Sequence, residues 1–570
     1  MRVIRTTFGL GLLFVSWLSA GHAAVTVLTH GHIYTGVPSQ PWALAIAFRD
    51  DQIVAVGDDA AVLSKWRRSA TVRDLKGRTV IPGIVDSHLH MLYGAYALHG
   101  LNLSTPQASI TPEKPDVVIE QLRAYAAAHQ EDAVLFARAD FNTAPPTTPG
   151  KELLDRAVPD RPVVVHSTSE HALWLNSAAL KLAGIGDWPV QNADAERGII
   201  RDASGHPLGV VLEAGMEVVE KAVAEKVPTE AKLAMLREAG RELNSYGITS
   251  IVNATGDLAE IRLFATLHAR GQLTVRTRTA FGSVAVPHQL TPQFLADLEE
   301  ARRLYHDDWI AANLVKFFAD GSTGLIPPLV YEPHAYENLV MELDARGFQI
   351  MTHAIRSDSV HMVLDTYERL IKAHGQRDRR LRVEHLDVID PSDVARFGAL
   401  HVIADMQPSF CCGEEGTNYD PVHPVVSDPW ASIAKGGAPL AFSSDWPCTW
   451  PADPFIAMQQ AVVRQVWNSA DTAPILGAPL DGAAQGGAVP TGGIYAPAER
   501  VTVEQALAAY TRGGAYVAFS DDRVGTLEVG KKADLAVLSQ DPFAVAPETL
   551  GKTRVLETWV GGKRVYERMQ

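Results

Sequence analysis

Apolar runs and helical stretches alternate through the middle of the chain. A polar-capped helix is predicted over 230–246, where Gly247 stops it, and an apolar strand follows over 248–252. The same order recurs with a helix over 357–374 and a strand over 381–385. Caps, glycine stops and buried strands in this order are typical of βα units. A long series of them predicts a (β/α)8 barrel, whose chemistry lies at the C-terminal ends of its strands.

The two ends of the chain carry a different pattern. Brief apolar or alternating runs predict short strands near the N-terminus and again near the C-terminus, over 25–28, 43–48, 52–56, 533–538 and 555–560. Because chain termini often lie close together, we expect the two all-β pieces to pair. The predicted fold class is therefore α/β, a (β/α)8 TIM barrel with a small β-sandwich domain built from both termini. The predicted parts are the sandwich at 24–80 and 516–570, the barrel at 81–515, and insertions at 100–130, 187–228 and 480–497.

The first residues predict a targeting segment. Arg2 and Arg5 precede an apolar run over 8–18, and small residues end at Ala23. This order is typical of a secretory signal peptide over residues 1–23, and an N-terminal membrane anchor is the alternative. No later run reaches about 18 apolar residues. We therefore expect an exported protein, periplasmic or secreted, without stable membrane insertion after signal removal.

Composition narrows the classes of function. Among 570 residues, 46% are hydrophobic and 21% charged, an ordinary globular mixture that excludes disorder for most of the chain. The net charge of −15 opposes contact with phosphate backbones, so we expect no nucleic-acid partner. Three cysteines exclude a disulfide scaffold. Cys411 and Cys412 are adjacent and are not expected to bridge each other, and a link to Cys448 is left open.

The clearest chemical signal is a pair of histidines at the end of a predicted strand. His88 and His90 end the run 84–90. Residues i and i+2 of a strand point to the same face, so both imidazoles can bind one metal ion; two structural histidines are the alternative. Imidazole and carboxylate suit zinc and similar divalent ions. Other apolar runs end in or contain further candidate ligands: Lys316, His353, His385 and Asp445.

Together these motifs resemble those of the metal-dependent amidohydrolase superfamily. Within it, the chain is similar to the branch of N-substituted formamide deformylases and YtcJ-like hydrolases (amidohydrolase family 3), from about residue 25 to 565. The motifs that carry the resemblance are IPGIVDSHLH at 81–90, VKFFADGS at 315–322, HAI at 353–355, RVEH at 382–385, QP at 407–408, SSDWP at 443–447 and GTLEVGKKADL at 525–535.

The resemblance implies a ligand set for a divalent metal, most simply zinc. His88 and His90, with Asp445, would bind a first ion, and His353 and His385 a second. Lys316 stands where related enzymes carry a carboxylated lysine, whose carbamate bridges two ions. The alternative for Lys316 is an ordinary lysine that snorkels towards solvent or pairs with Asp320, in which case the site would hold one ion.

The resemblance also implies the chemistry. A metal-activated hydroxide would attack a substrate carbonyl, and Asp445 would shuttle the proton to the leaving nitrogen. The alternative for Asp445 is a helix N-cap before Pro447. His171, in the motif His-Ala-x-Trp-x-Asn, is a second catalytic candidate that would stabilise the oxyanion, and a loop histidine bonded to backbone is its alternative.

Four residues are candidates for substrate binding: His166, Asp320, Arg356 and Trp446. Asp320 either orients substrate or Lys316 or caps a turn, and Trp446 either lines a pocket or packs. Arg356 departs from the branch, which continues His-Ala-Ile with Gly-Asp-Arg. Its guanidinium would select an anionic group or point into solvent as a helix-start residue.

The predicted function is that of an exported metal-dependent hydrolase of a non-peptide carbon–nitrogen bond, acting on a small-molecule substrate. Hydrolysis of a cyclic amide or an ester in the same site is the alternative within enzymes. A periplasmic metal- or solute-binding protein without turnover is the alternative from another class. Oligomeric state is left open, with a homo-oligomer as one outcome.

Overall fold

We describe the chain from a computed structural model, within residues 25–569. It describes residues 25–66, 70–103, 115–139, 141, 150–168, 171–282, 290–320, 332–412, 425–465, 467 and 495–569. The predicted signal peptide at 1–23 lies outside these residues, as does most of the predicted insertion at 480–497.

A parallel eight-stranded sheet forms the centre of the fold. In chain order its strands are β1 (Ile84–Leu89), β2 (Ile248–Gly256), β3 (Arg276–Phe281), β4 (Ile310–Phe318), β5 (Gln349–Ala354), β6 (Arg382–His385), β7 (Ile403–Met406) and β8 (Leu440–Phe442). Each strand pairs in parallel with the next one, from β1 through β8. Past β8, the Asp445 N–H donates to the carbonyl of His88 over 2.7 Å, which brings the last strand back to the first. The predicted (β/α)8 barrel is confirmed.

Helices follow most of the strands. Those after the barrel strands cover the outside of the barrel, whereas Asp59–Trp66 and Lys151–Ala157 pack on other sheets. Their bounds are Asp59–Trp66, Met91–His99, Pro115–Ala128, Lys151–Ala157, Ser177–Leu182, Ala193–Arg197, Met216–Lys226, Thr229–Ser245, Leu258–Ala269, Pro292–Leu304, Pro333–Ala345, Ser357–His374, Pro391–Leu400, Trp430–Lys435, Pro454–Val463, Val503–Ala508 and Gly514–Val517. In the part of the chain that the structure describes, none of them combines the length and apolarity needed to cross a bilayer.

Local sequence explains where the predicted helices end. The helix Thr229–Ser245 is followed by Gly247 at φ +81°, and Ser357–His374 by Gly375 at φ +73°. Both backbones lie in the left-handed region, which glycine adopts without a steric cost from Cβ. The side chain of Asp390 accepts the N–H of Ser392 and so caps the helix Pro391–Leu400 at its start.

Two sheets built from both ends of the chain form the predicted β-sandwich. One contains Gln52–Gly57, Ala45–Arg49, Val25–Thr29 and Ala70–Asp74. The other contains Lys563–Glu567, Val555–Val560, Leu535–Leu538, Thr79–Pro82, His32–Tyr34 and Trp42–Ala43. Leu28, Phe48, Leu535 and Trp559 belong to the apolar core shared by the two sheets. The strand Thr79–Pro82 lies in the sandwich, and the barrel begins at Ile84.

A buried ion pair fastens the sandwich to the barrel. The guanidinium of Arg276 on β3 bonds both carboxylate oxygens of Asp534 at 2.7 and 3.0 Å. Asp534 also accepts the backbone N–H of Gly561. Because both side chains are buried, loss of either one leaves the other as an uncompensated charge.

The sequence analysis missed a third sheet, inserted between β1 and β2. It is mixed and contains Ile199–Arg201, Pro207–Leu212, Ala172–Leu175, Val163–Ser167, Leu135–Ala139 and Leu101–Asn102. The predicted insertions at 100–130 and 187–228 are therefore parts of one longer unit with a core of its own. Another expectation was wrong: Cys411 and Cys412 form a disulfide with each other, so neither is linked to Cys448.

Candidate metal centre

Two histidines lie at the end of β1, and Nδ1 of each ring contacts a side-chain oxygen of another residue. His88 is the fifth residue of β1, and His90 is the N-cap of the helix Met91–His99. Nδ1 of His88 lies 2.7 Å from Oε2 of Glu384, and Nδ1 of His90 lies 2.7 Å from Oγ1 of Thr255. With Nδ1 engaged, Nε2 of each ring is the nitrogen that could bind a metal ion.

The ends of β6 and β8 bring two further ligands to the same place. His385 ends β6, and Asp445 follows β8 with φ +55°. Ligand atoms of His88, His385 and Asp445 all lie within 4.8 Å of one another. Asp445 Oδ1 is 3.4 Å from Nε2 of His88 and 3.2 Å from Nε2 of His90. Asp445 precedes a turn and not a helix, so the N-cap alternative does not apply to it.

Lys316 extends from β4 into the same cluster. Its side chain is buried, and Nζ lies 3.2 Å from Nε2 of His88. It therefore does not form the pair with Asp320 that was its alternative in the sequence. Burial lowers the pKa of Lys316 to about 8, although the carboxylates of Glu384 and Asp445 act in the opposite direction.

His353 stands beside the cluster at the end of β5. Its ring centroid is 4.4 Å from that of His385, and its Nε2 is 3.2 Å from Oδ1 of Asp320. The Asp320 carboxylate accepts the backbone N–H groups of Ile355 and Arg356 at the start of the helix Ser357–His374. Burial raises the pKa of Asp320 to about 7, although these hydrogen bonds oppose the shift.

The donor set fits a divalent cation. Oδ1 of Asp445 and Nε2 of His353 are buried atoms without a hydrogen bond, and such atoms are costly unless another group satisfies them. Burial holds the pKa of His88, His353 and His385 well below its usual range, so these imidazoles are neutral. Burial also tends to raise the pKa of Asp445, but the contact with His90 and nearby positive charge hold it at about 2. Neutral imidazoles and an anionic carboxylate are the protonation states that bind zinc-like ions.

A buried polar network connects the ligands from behind, and the sequence analysis missed most of it. Arg382 on β6 donates to both oxygens of Glu384 and to Asp405, at 2.6 to 2.7 Å. Asp405 accepts from Ser443, which accepts in turn from Gln407. Oε1 of Gln407 lies 2.8 Å from Nδ1 of His385. The alternation Arg-x-Glu-His at 382–385 was the available signal, because it puts Arg382 and Glu384 on one face of the strand.

A cavity of about 1020 Å³ opens over the ligands. One part of its wall is apolar or aromatic and includes Tyr93, Tyr96, Phe136, Phe281, Phe294, Phe318, Val219 and Leu263. Another part is acidic and includes Glu213, Glu217, Glu220, Asp257 and Asp297. Burial, together with the charge of Glu220, raises the pKa of Glu217 to about 7.

The predicted substrate-facing residues divide into two groups. His166, His171 and Asp320 line the cavity, and Nδ1 of His171 is 2.9 Å from Oε1 of Glu213. Arg356 and Trp446 are not among the described residues that line it. The Arg356 guanidinium pairs with Asp358 instead. Trp446 is buried against Gly94, and its carbonyl accepts the N–H of His90, so it supports a ligand from behind. Their contact with substrate stays a prediction.

This combination of barrel, strand-end ligands and cavity defines a metal-dependent hydrolase. The chain belongs to the amidohydrolase family, whose model matches residues 71–566. It is therefore a metal-dependent amidohydrolase that acts on carbon–nitrogen bonds, and the family implies a divalent metal at this centre.

Three relatives match over nearly their whole length. Protein LONG AFTER FAR-RED 3 of Arabidopsis thaliana is 28% identical, over 96% of this chain and 92% of its own. N-substituted formamide deformylase of Arthrobacter pascens is 25% identical, over 92% of this chain and 95% of its own. Putative amidohydrolase YtcJ of Bacillus subtilis is 25% identical, over 94% of this chain and 98% of its own.

Solved structures support the fold. An uncharacterized metal-dependent hydrolase from Pyrococcus furiosus superposes with a TM-score of 0.67 at 22% identity, over 91% of this chain and 100% of its own. A second uncharacterized metal-dependent hydrolase, from Pyrococcus horikoshii, superposes with a TM-score of 0.68 at 21% identity, over 92% of this chain and 99% of its own.

Proposed function

We propose that this enzyme hydrolyses the carbon–nitrogen bond of an N-substituted, non-peptide amide at a zinc centre. The observation that carries the proposal is the meeting of His88, His385 and Asp445 within 4.8 Å below a large cavity. In this centre His88, His90 and Asp445 would hold one ion, and His353 and His385 a second, with Lys316 as its carbamate between them. When bound, such an ion lowers the pKa of a water molecule and polarises a carbonyl.

Asp445 is the proton carrier in this proposal. Its carboxylate is ionised at neutral pH, because its pKa is held at about 2. It can therefore accept a proton from the attacking water and deliver it to the leaving nitrogen. Its Oδ1 lies 3.2 Å from Nε2 of His90 and 3.4 Å from Nε2 of His88, so the carboxylate faces the place where the attacking water would be bound.

His171 would act on the carbonyl oxygen of the substrate. Its ring lies 6.3 Å from that of His353, and Glu213 holds its Nδ1. A carboxylate on Nδ1 fixes this nitrogen as the N–H donor and stabilises the protonated ring. When the ring is protonated, Nε2 also carries an N–H, which would donate to negative charge on the carbonyl oxygen as the amide is attacked.

The cavity favours an apolar substituent without negative charge. Its aromatic wall buries a bulky hydrophobic group, and burial of apolar surface contributes about 25 cal/mol per Å². Glu220 and Asp257 belong to a lining in which acidic side chains outnumber basic ones such as Lys221, and this excess of negative charge disfavours an anion. This agrees with the name of the Arthrobacter pascens relative, an N-substituted formamide deformylase. It disfavours the anionic substrate for which Arg356 was a candidate.

We further propose that the enzyme works outside the cytoplasm after removal of residues 1–23. The support is the order of basic, apolar and small residues before Ala23. N-terminal sequencing of the protein recovered from the periplasm or medium should begin at residue 24. Recovery of the full-length chain in the membrane fraction would contradict this part.

The activity is tested with metal analysis and a substrate panel. The wild type should retain zinc that the His88→Asn variant loses, and it should cleave N-benzyl or N-aryl formamides and acetamides. Matched amides with a carboxylate on the same ring should be poor substrates. If the enzyme cleaved only lactones or cyclic amides, its substrates would belong to the alternative class and not to the linear amides. Absence of turnover across the panel in zinc-loaded protein would overturn the proposal.

A further inference from the structure

A second cluster of metal-binding side chains lies away from the barrel centre. It consists of His99, His129 and Asp132, and their ligand atoms all lie within 4.8 Å of one another. Nε2 of His99 is 2.9 Å from Oδ2 of Asp132, and Nδ1 of His129 is 3.3 Å from the same oxygen. All three side chains are partly exposed, between 20% and 33%, so an ion can reach them from solvent.

The surrounding structure holds these groups in place. His99 ends the helix Met91–His99, and His129 and Asp132 follow the helix Pro115–Ala128. Tyr125 stacks on the ring of His129 at 4.1 Å, and its hydroxyl donates to the carbonyl of His99. Arg161 donates to the carbonyl of His129 over 2.7 Å. The two segments are therefore joined by contacts that do not depend on the cluster itself.

The spacing matches that of ligands around one ion. Bonds of about 2.0–2.2 Å in tetrahedral geometry separate two ligand atoms by roughly 3.4 Å. The two distances to Asp132 Oδ2 are close to this value. The ring centroids of His99 and His129 are 5.3 Å apart, and their ligand nitrogens also lie within 4.8 Å of each other.

We propose that His99, His129 and Asp132 form a peripheral site for a zinc-like divalent ion, distinct from the catalytic centre. Two imidazoles and one carboxylate are ligands that zinc, nickel and copper accept, and water completes the coordination. Without an ion, N–H groups of His99 and His129 can point at Oδ2 of Asp132. A bound ion would lie between these two ring nitrogens and the oxygen in place of the protons.

The position of the site gives the ion a structural consequence. The helix Met91–His99 starts at His90, a ligand of the catalytic centre, and ends at His99. An ion at the peripheral site fixes the far end of this helix to the segment that carries His129 and Asp132. Binding to the folded state alone stabilises the protein by mass action. We therefore expect added zinc to raise the melting temperature.

The test compares zinc stoichiometry between matched variants of the full-length enzyme. In equilibrium dialysis at neutral pH, the wild type should bind one more zinc ion per chain than His129→Ala or Asp132→Asn. Zinc added to enzyme whose catalytic centre is already filled should raise the melting temperature of the wild type but not of these variants. His206→Ala is the matched control, because His206 also bonds a carboxylate, that of Asp202, in the same insertion.

Two outcomes would overturn the proposal. One is an equal number of zinc ions in the wild type and both variants. The other is loss of an ion in His206→Ala as well, which would indicate unspecific binding at surface histidines. Circular dichroism shows whether each variant folds. Because His129 and Asp132 are changed in separate variants, the test still works if one of the two variants does not fold. Neither outcome depends on amide hydrolysis, so the test is independent of the proposed substrate.

Discussion

Nδ1 of His88 lies 2.7 Å from Oε2 of Glu384, although 296 positions separate the two residues in the chain. Glu384 is itself held by both guanidinium nitrogens that Arg382 directs at it. The contact turns Nε2 of His88 towards the metal centre and makes the imidazole a better donor. A carboxylate on one strand thus positions a ligand on another strand of the barrel.

Glu384→Gln should weaken metal binding at the catalytic centre by about 10–100-fold, the usual cost of removing such a supporting group. The amide keeps the size of the side chain but removes the negative charge that faces His88 and Arg382. Metal affinity, measured by competition with a chelator, checks the prediction. Excess zinc should restore most of the activity. Glu368→Gln, which removes a surface partner of Lys372, is the control and should leave affinity unchanged.

Asp445→Asn should lower kcat by about 10²–10⁴-fold, the range that proton transfer by a positioned side chain contributes. An amide cannot accept the proton from the attacking water. Steady-state kinetics on a cleaved amide, with metal content measured in parallel, separates lost proton transfer from lost metal. A variant with full metal content and near wild-type kcat would exclude Asp445 as the proton carrier.

Lys316→Ala should bind one metal ion fewer per chain than the wild type and lose most of its activity. The buried Nζ lies 3.2 Å from Nε2 of His88, where a carbamate would bridge two ions. A short carboxylic acid such as propionate should restore part of the activity, because its carboxylate can take the place of the carbamate. Unchanged stoichiometry would show that Lys316 does not bridge ions.

Glu260→Gln should make stability less dependent on pH. Burial, followed by the charge of Asp257, raises the pKa of Glu260 to about 8 in the folded protein. Between pH 4.5 and 8 the folded state keeps this proton and the unfolded state releases it. As the pH rises through that range, Glu260 therefore lowers the free energy of unfolding of the wild type by about 1.4 kcal/mol per pH unit.

The glutamine variant has no such group, so its stability relative to the wild type should rise from pH 5 to pH 8 and then level off. Chemical denaturation at several pH values measures this difference. A difference that stays constant with pH would contradict the burial of a protonated Glu260.

Gly94→Ala should destabilise the protein by about 1–3 kcal/mol, the usual cost of overpacking a core. A Cβ at Gly94 would lie 1.9 Å from Cζ3 of Trp446, so the indole or the helix Met91–His99 must move. Because His90 begins this helix, metal affinity should fall as well. Gly186→Ala is the matched control, since its Cβ would meet nothing within 4 Å. Equal denaturation midpoints for the two variants would contradict the packing argument.

The insertion shows why part of the fold was not predictable from the sequence. Its strands, such as Val163–Ser167 and Ala172–Leu175, are as short and apolar as barrel strands. Periodicity reports which residues are buried but not which sheet a strand joins. Strand order depends on long-range pairing, and here only the tertiary structure shows that the six strands from Leu101–Asn102 to Pro207–Leu212 form one sheet beside the barrel.

The sequence by itself determined the class of barrel and the candidate metal ligands. Alternation, caps and glycine stops are local, and the polar residues His88, His353, His385 and Asp445 end apolar runs whose parallel strands must finish at one rim. The tertiary structure alone decided how those ligands are oriented. Glu384, Thr255 and Gln407 reach the ligand rings from different strands or their ends. It also decided that Arg356 pairs with Asp358 while carboxylates line the cavity. Orientation and pocket charge arise from contacts between distant segments, and local pattern carries no information about such contacts.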